Sequence, residues 1–268
     1  MPKLKTVLLA PVALFILLYI ALAIRVATTD NTAPVAVGPP AGIETIAIFG
    51  ASGTAGDGIL KAALANPDIG KIHVITRRST PRIEEGVASG KVQMTTHMDY
   101  LDYAEIHEQI ADVDAVFWAI GLSSIGVEEG FYRKIHVDFP RRFVEEWAGV
   151  STKPAISFHY ISSSDISEES SAMWARVKVE AENALIGFAD GTKMRVICYR
   201  PDYIGPTREE AHVGQNMLYW FFSPIGVAVR ATQIGQAMME VAARGDEFSN
   251  GDRLSNRRIL RYSDAYEQ

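Results

Sequence analysis

Three glycines spaced three apart, Gly50, Gly53 and Gly56, break an apolar run in the segment Ile46-Ala47-Ile48-Phe49-Gly50-Ala51-Ser52-Gly53-Thr54-Ala55-Gly56. A strand that turns sharply and enters a helix there leaves backbone N–H groups aimed at the turn, the geometry that cradles a dinucleotide pyrophosphate. Gly50 makes the turn, Gly53 lets phosphate approach because no Cβ intervenes, and Gly56 lets the helix pack closely on the strand. Ser52 and Thr54 stand in the same turn and belong with it as cofactor-binding residues. About twenty residues past such a turn an Asp or Glu normally accepts hydrogen bonds from the ribose 2'-hydroxyl of NAD. Here that place reads Thr76-Arg77-Arg78-Ser79, with no acid before Glu84. Planar guanidinium forks suit a 2'-phosphate and stack on adenine, so the expected cofactor is NADP(H).

The elements that must position these residues alternate. After the glycine turn, Ile59, Leu60, Ala63 and Leu64 recur at helical spacing until Asn66-Pro67 ends the helix. Lys71 to Thr76 reads as a short buried strand, which completes a βαβ unit. Further strands are expected at Val92 to Thr95, Ala115 to Ala119, Ala155 to Ser162 and Met194 to Arg200. Helices are expected near Ala104 to Ile110, Gly130 to Trp147, Ala172 to Ile186 and Ile234 to Ala243. Such alternation implies an α/β fold with a doubly wound parallel sheet, a Rossmann fold, with ligands at the carboxyl ends of the strands.

With 268 residues and 48% hydrophobic content, the chain supports one large core. A net charge of -6 without clustered Lys and Arg argues against a nucleic-acid surface. The single cysteine, Cys198, lies in an apolar run and excludes disulfide and cysteine-cluster readings. The histidines show no metal spacing, so no metal site is expected.

Val7 to Ile24 is a stretch of 18 uncharged, mostly aliphatic residues. As a helix it spans roughly 27 Å, close to a bilayer core. Lys3 and Lys5 before it and Ala21-Leu22-Ala23 within it also fit a cleaved signal peptide. A single-pass N-terminal anchor through residues 7–24 is favoured, because a secreted protein would leave its nicotinamide cofactor behind; orientation and organelle stay open. The domain plan is an anchor or signal over 1–25, a flexible linker over 26–42 rich in turn formers, and an NADP(H)-binding domain over 43–268 with a short C-terminal substrate cap. The last residues read as frayed.

These residues resemble the short-chain dehydrogenase/reductase superfamily, specifically the atypical branch that includes the Tat-interacting oxidoreductase-like proteins. The matching pieces are the glycine turn, Thr76-Arg77-Arg78, Asp99-Tyr100, Val116-Phe117-Trp118-Ala119-Ile120-Gly121, Tyr160-Ile161-Ser162-Ser163-Ser164, Arg200-Pro201 and Gln236-Ala237-Met238-Met239. The resemblance implies that Asp99 lies by the adenine, Ala119 and Gly121 face the nucleotide, and Ser163 or Ser164 orients the substrate oxygen. The family signature places a Tyr four residues before a Lys, so that phenol and ammonium share one helix face. The phenol exchanges the proton while the lysine lowers its pKa and holds the ribose. This chain reads Trp174-Ala175-Arg176-Val177-Lys178, and an indole N–H cannot act as an acid and base at that position. Lys178 remains as a ribose ligand, and Tyr203, two residues past Pro201, is the substitute phenol.

Met217-Leu218-Tyr219-Trp220-Phe221-Phe222-Ser223-Pro224 falls where this fold lays its substrate lid. It lines an apolar pocket, dips into the membrane or mediates self-association; a homo-oligomer is one reading of the three. Two functions follow. The first is an NADP(H)-dependent oxidoreductase on a small hydrophobic carbonyl or alcohol substrate; the second is a non-catalytic NADP(H)-binding sensor or assembly protein of a membrane complex.

Overall fold

Short runs such as Ile46-Ala47-Ile48-Phe49 are apolar at every position, not at alternate ones, because helices cover both faces of the sheet they form. In the computed structural model, which describes residues 2–30 and 32–267, these runs are β1 (Thr45–Phe49), β2 (Lys71–Thr76), β3 (Val92–Thr96), β4 (Ala115–Trp118), β5 (Ile156–Ile161) and β6 (Met194–Arg200). Two three-residue strands, β7 (Tyr203–Gly205) and β8 (Ala228–Arg230), pair only with each other, and β9 (Arg253–Ser255) closes the main sheet. The main sheet has seven parallel strands in the order β3-β2-β1-β4-β5-β6-β9, so the chain reverses its direction of winding between β1 and β4. A crevice at the carboxyl ends of these two strands is the ligand position of doubly wound sheets.

Apart from the N-terminal helix α1 (Pro2–Thr28), the helices are α2 (Thr54–Ala65), α3 (Pro81–Ala88), α4 (His107–Ile110), α5 (Glu129–Arg133), α6 (Phe139–Val150), α7 (Met173–Ala189), α8 (Val213–Phe222), α9 (Ala231–Ala243) and α10 (Asn256–Tyr266). Alternate strand residues feed two cores. Ile46 and Ile48 meet α2, α9 and α10 through Ile59, Ile234, Met238 and Ile259. Ala47 and Phe49 meet α4 to α7 through Ile110, Phe143, Trp147 and Leu185. Helices α2 and α9 cross at backbone contact, since a Cβ on Gly58 would lie 2.1 Å from the Ala231 carbonyl carbon.

The single helix expected over Gly130 to Trp147 is divided. Lys134–Asp138 forms a π-helical turn between α5 and α6. Pro140 has no N–H to return to the His136 carbonyl, and the ladder widens there. The expected frayed C-terminus is instead helix α10, whose Tyr266 hydroxyl donates to the Ala62 carbonyl at 3.2 Å. Between α1 and the domain, Arg257 and Arg261 donate to the Asp30 carbonyl, Arg244 to that of Pro34, and Ala41 N–H to that of Ala243.

Three buried histidines are held neutral. Burial, reinforced by Lys71, lowers His73 to about 4; burial and Arg195 lower His159 to about 3; burial and Lys178 lower His136 to about 2. The unfolded chain protonates them near 6.5. Their contribution to stability is therefore complete above about pH 6.5 and lost as pH falls toward the folded values, at about 1.4 kcal/mol per pH unit for each histidine. Urea midpoints measured from pH 7 to pH 4 should fall less steeply in His73→Gln than in the parent; an identical slope would mean that His73 protonates in the fold.

Candidate cofactor site

At the carboxyl end of β1, Gly50 takes φ +82, and a Cβ there would lie 2.7 Å from the Ala119 carbonyl carbon, so only glycine fits between the two strand ends. A Cβ on Gly56 would lie 2.1 Å from the Gly50 oxygen, which already accepts the Gly53 N–H at 3.0 Å. Gly53 differs, because its Cβ would meet nothing closer than 3.5 Å. The fold leaves that side open and α2 starts at Gly53 with no side-chain cap, so its first N–H groups face the crevice. Beside the turn lies a cleft of about 250 Å³ lined by Ser52, Thr54, Thr80, Arg82, Thr207 and His212. Its rim is fastened by Asp57, which accepts from Arg82 Nε at 2.6 Å and from Thr207 Oγ1 at 2.9 Å.

Arg77 and Arg78 are exposed just past β2. The turn that presents them is fixed by Thr76 Oγ1, which donates to the Arg78 carbonyl at 3.0 Å. Burial pushes the Tyr100 phenol up, and the Arg77 charge opposes this. Asp99 is exposed and accepts the Leu101 N–H at 3.0 Å, and Asp102 accepts that of Ala104, so both carboxylates cap local turns.

Beyond β4, Ala119 is tied to β1 by donating to the Phe49 carbonyl at 2.9 Å. Gly121 is exposed with its rear against His136, where a Cβ would come within 2.9 Å of the ring. The carbonyl of His136, deprived of a helical donor by Pro140, accepts the Tyr160 hydroxyl at 3.2 Å. Lys178 Nζ lies 3.5 Å from that hydroxyl and donates to the Ile161 carbonyl at 3.1 Å. Burial, opposed by Glu182, lowers Lys178 to about 8. The ammonium therefore sits in a dry pocket at the end of β5, neither solvated nor paired by carboxylate contact, as the acid-rich stretch around it would suggest. Trp174, one turn N-terminal on α7, is half-buried against the core layer that also holds Ile120 and Leu122.

Ser163 and Ser164 are half-buried past β5, and the Ser164 N–H donates to the Pro201 carbonyl at 3.0 Å, which joins the serine loop to the end of β6. Arg200 is turned away from the crevice onto Glu182. Tyr203 starts β7, half-buried, with its ring 6.2 Å from Phe222. The structure thus gathers Gly50, Gly53, Ala119 and Gly121 at one crevice and Lys178 with the serine loop on its far side, while Arg77, Arg78 and Asp99 stand at the β2 and β3 ends. Asp57, Arg82, His136 and Tyr160 also belong to this environment. Pro140 inside an otherwise helical run was the sequence signal for the last two.

No family model matches the chain. The Protein fmp52, mitochondrial, of Emericella nidulans is 26% identical over 189 residues, covering 69% of this chain and 77% of that protein. Among solved structures, a 3-oxoacyl-(acyl-carrier protein) reductase from Brucella melitensis in complex with NAD superposes with a TM-score of 0.60 at 15% identity, covering 81% of this chain and 97% of that one. BdcA in complex with NADPH gives a TM-score of 0.60 at 13% identity over 79% and 92%. The chain therefore has a Rossmann fold, the architecture it shares with these structures.

Proposed function

We propose that this chain is a membrane-anchored, NADP(H)-dependent oxidoreductase of the short-chain dehydrogenase/reductase type that acts on a hydrophobic carbonyl or alcohol. The observation that carries the reading is the uncapped start of α2 at the open Gly53, with two exposed guanidinium groups at the β2 end and no carboxylate between them and Glu84. A bound nicotinamide supplies or accepts the hydride. On the protein side, Lys178 holds the ribose hydroxyls, Ser164 with Ser163 orients the substrate oxygen, and Tyr203 exchanges its proton. The location proposed is a mitochondrial membrane, on the likeness to the fmp52 protein and on the apolar helical stretch Pro11–Thr28, none of whose residues is buried in the domain.

NADPH oxidation over a panel of apolar aldehydes, ketones and quinones tests the activity. Turnover lost in Ser164→Ala and Tyr203→Phe supports it; bound NADPH without turnover on any substrate overturns it. Cofactor choice has its own test. Charge-assisted hydrogen bonds contribute about 1.5–3 kcal/mol each, so Arg77→Ala with Arg78→Ala should weaken NADPH by about 100-fold or more and NADH by a few-fold at most. Equal losses in a calorimetric titration would remove the claim of NADP(H) selectivity.

One observation favours a second reading. Trp174 lies one turn from Lys178 on α7, at the position to which the family resemblance assigns the phenolic proton donor, and this fits a protein that binds NADP(H) as a sensor or assembly factor without turnover.

A further inference from the structure

Helix α8 and the turn after it carry no Asp, Glu, Lys or Arg from Val213 to Val229. Met217 and Trp220, one turn apart, are 63% and 65% exposed, and Phe221 beside them is 43% exposed. Such a face on water is costly, and its neighbour shows what covers it. The Phe221 ring stacks on Tyr19 and Phe15 of α1 at centroid distances of 5.3 and 6.5 Å, and Tyr19 Oη donates to the Phe221 carbonyl at 2.8 Å. One step back toward the domain, Ile225 and Gly226 line a hollow with Leu22, Arg25 and Val26.

The register of these contacts fixes a depth. Arg25 is the first charge after the apolar stretch of α1 and marks where that helix leaves hydrocarbon. At about 1.5 Å per residue, Tyr19 and Phe15 lie about 9 and 15 Å further along the axis, within a leaflet about 15 Å thick. Phe221 shares that level. We infer that α8 is a second membrane contact, embedded in the same leaflet as α1 through Met217, Trp220 and Phe221; this rests on the anchor reading of α1.

The local chemistry agrees. The Phe221, Phe222 and Ser223 carbonyls hold donors from Tyr19, Val227 and Gly226, as a helix end in hydrocarbon requires. Arg257, beside Arg25, and Arg261 both donate to the Asp30 carbonyl just past the end of α1, where headgroups would lie. At its other end α8 reaches the cofactor cleft through His212 and Gln215, and Phe222 faces Tyr203. The helix thus runs from the leaflet to the candidate chemistry, and the substrate class it serves is an apolar carbonyl or alcohol dissolved in the bilayer.

The test uses the full chain in phosphatidylcholine vesicles whose acyl chains carry bromine at defined depths, with carbonate extraction of the same vesicles. Tryptophan fluorescence should show a bromine-quenched component, strongest for bromines in the half of the chains nearer the midplane, that is lost in Trp220→Phe. A carbonate-resistant chain whose quenching is unchanged in Trp220→Phe overturns the inference and leaves the anchor standing. Release by carbonate removes the anchor and the inference together. Trp220 shielded from aqueous acrylamide only at high protein density, without bromine quenching, would assign the face to a second copy and also overturn the inference.

Discussion

Glu182→Ala should lower the stability of the fold by about 3 kcal/mol, the cost of leaving two partly buried cations without the buried carboxylate they bind. Glu182 is fully buried on α7, where burial alone would raise its carboxyl pKa. Hydrogen bonds from Arg200 and Arg253 outweigh that and hold it below the ordinary range. Arg200 forks onto both oxygens at 2.8 and 2.5 Å, and Arg253 Nε reaches one at 2.8 Å. The carboxylate therefore pins the end of β6 and the edge strand β9 to one helix. Both arginines keep some water, with 29% and 39% of their side chains exposed, which sets the expectation at the lower end of the range for broken buried pairs. Glu182→Gln keeps an acceptor and should lose less. The sign with pH follows: this stability is present above the unfolded carboxyl pKa near 4.3 and is lost as pH falls through the depressed folded value. Thermal midpoints of the parent and both variants at neutral pH check it; an unchanged midpoint in Glu182→Ala would show that the arginines rehydrate without cost.

That hub marks the limit of what the residues alone disclose. The glycine turn and the strands from β1 to β6 were legible because a doubly covered parallel sheet demands uninterrupted apolar runs, and the glycines interrupt one at a fixed spacing. The burial of Glu182 and Lys178 was not legible, since a charged residue on an amphipathic helix looks the same whether it faces solvent or is enclosed, as Glu182 is by a partner contributed 18 residues later by β6. Helix α8 read as an irregular lid because it is apolar around its circumference and lacks the polar face that gives a soluble helix its period. Helix α10 escaped for the opposite reason: its apolar residues, chiefly Ile259, Leu260, Tyr262 and Tyr266, are spread among polar ones, so its last turn reads as a frayed end. The three-residue strands β7, β8 and β9 are too short to show alternation at all.

The exchange Trp174→Tyr separates the two functional readings by the largest kinetic margin. Position 174 precedes Lys178 by four residues on α7, so a phenol there would stand one turn along the same face, above an ammonium already in a low-dielectric pocket. A cation in that setting favours the phenolate and brings its pKa toward working pH. Lys178 keeps its charge below about pH 8, so the effect is present at neutral pH. A positioned general acid contributes about 10²- to 10⁴-fold. If the parent binds NADPH without turnover, the variant should oxidise NADPH with apolar carbonyls at a rate higher by about that factor, and Lys178→Met should cancel the gain. If the parent already uses Tyr203, the new phenol adds little, and Tyr203→Phe lowers the rate in the parent while Trp174→Tyr restores it. Because Trp174 is only half-buried, the exchange removes an indole from the edge of the core and leaves the Ile161, Tyr160 and Lys178 contacts in place. A variant that binds NADPH as the parent does yet shows no turnover, in a parent that shows none, would place the missing chemistry in the substrate side of the cleft and not in the proton donor.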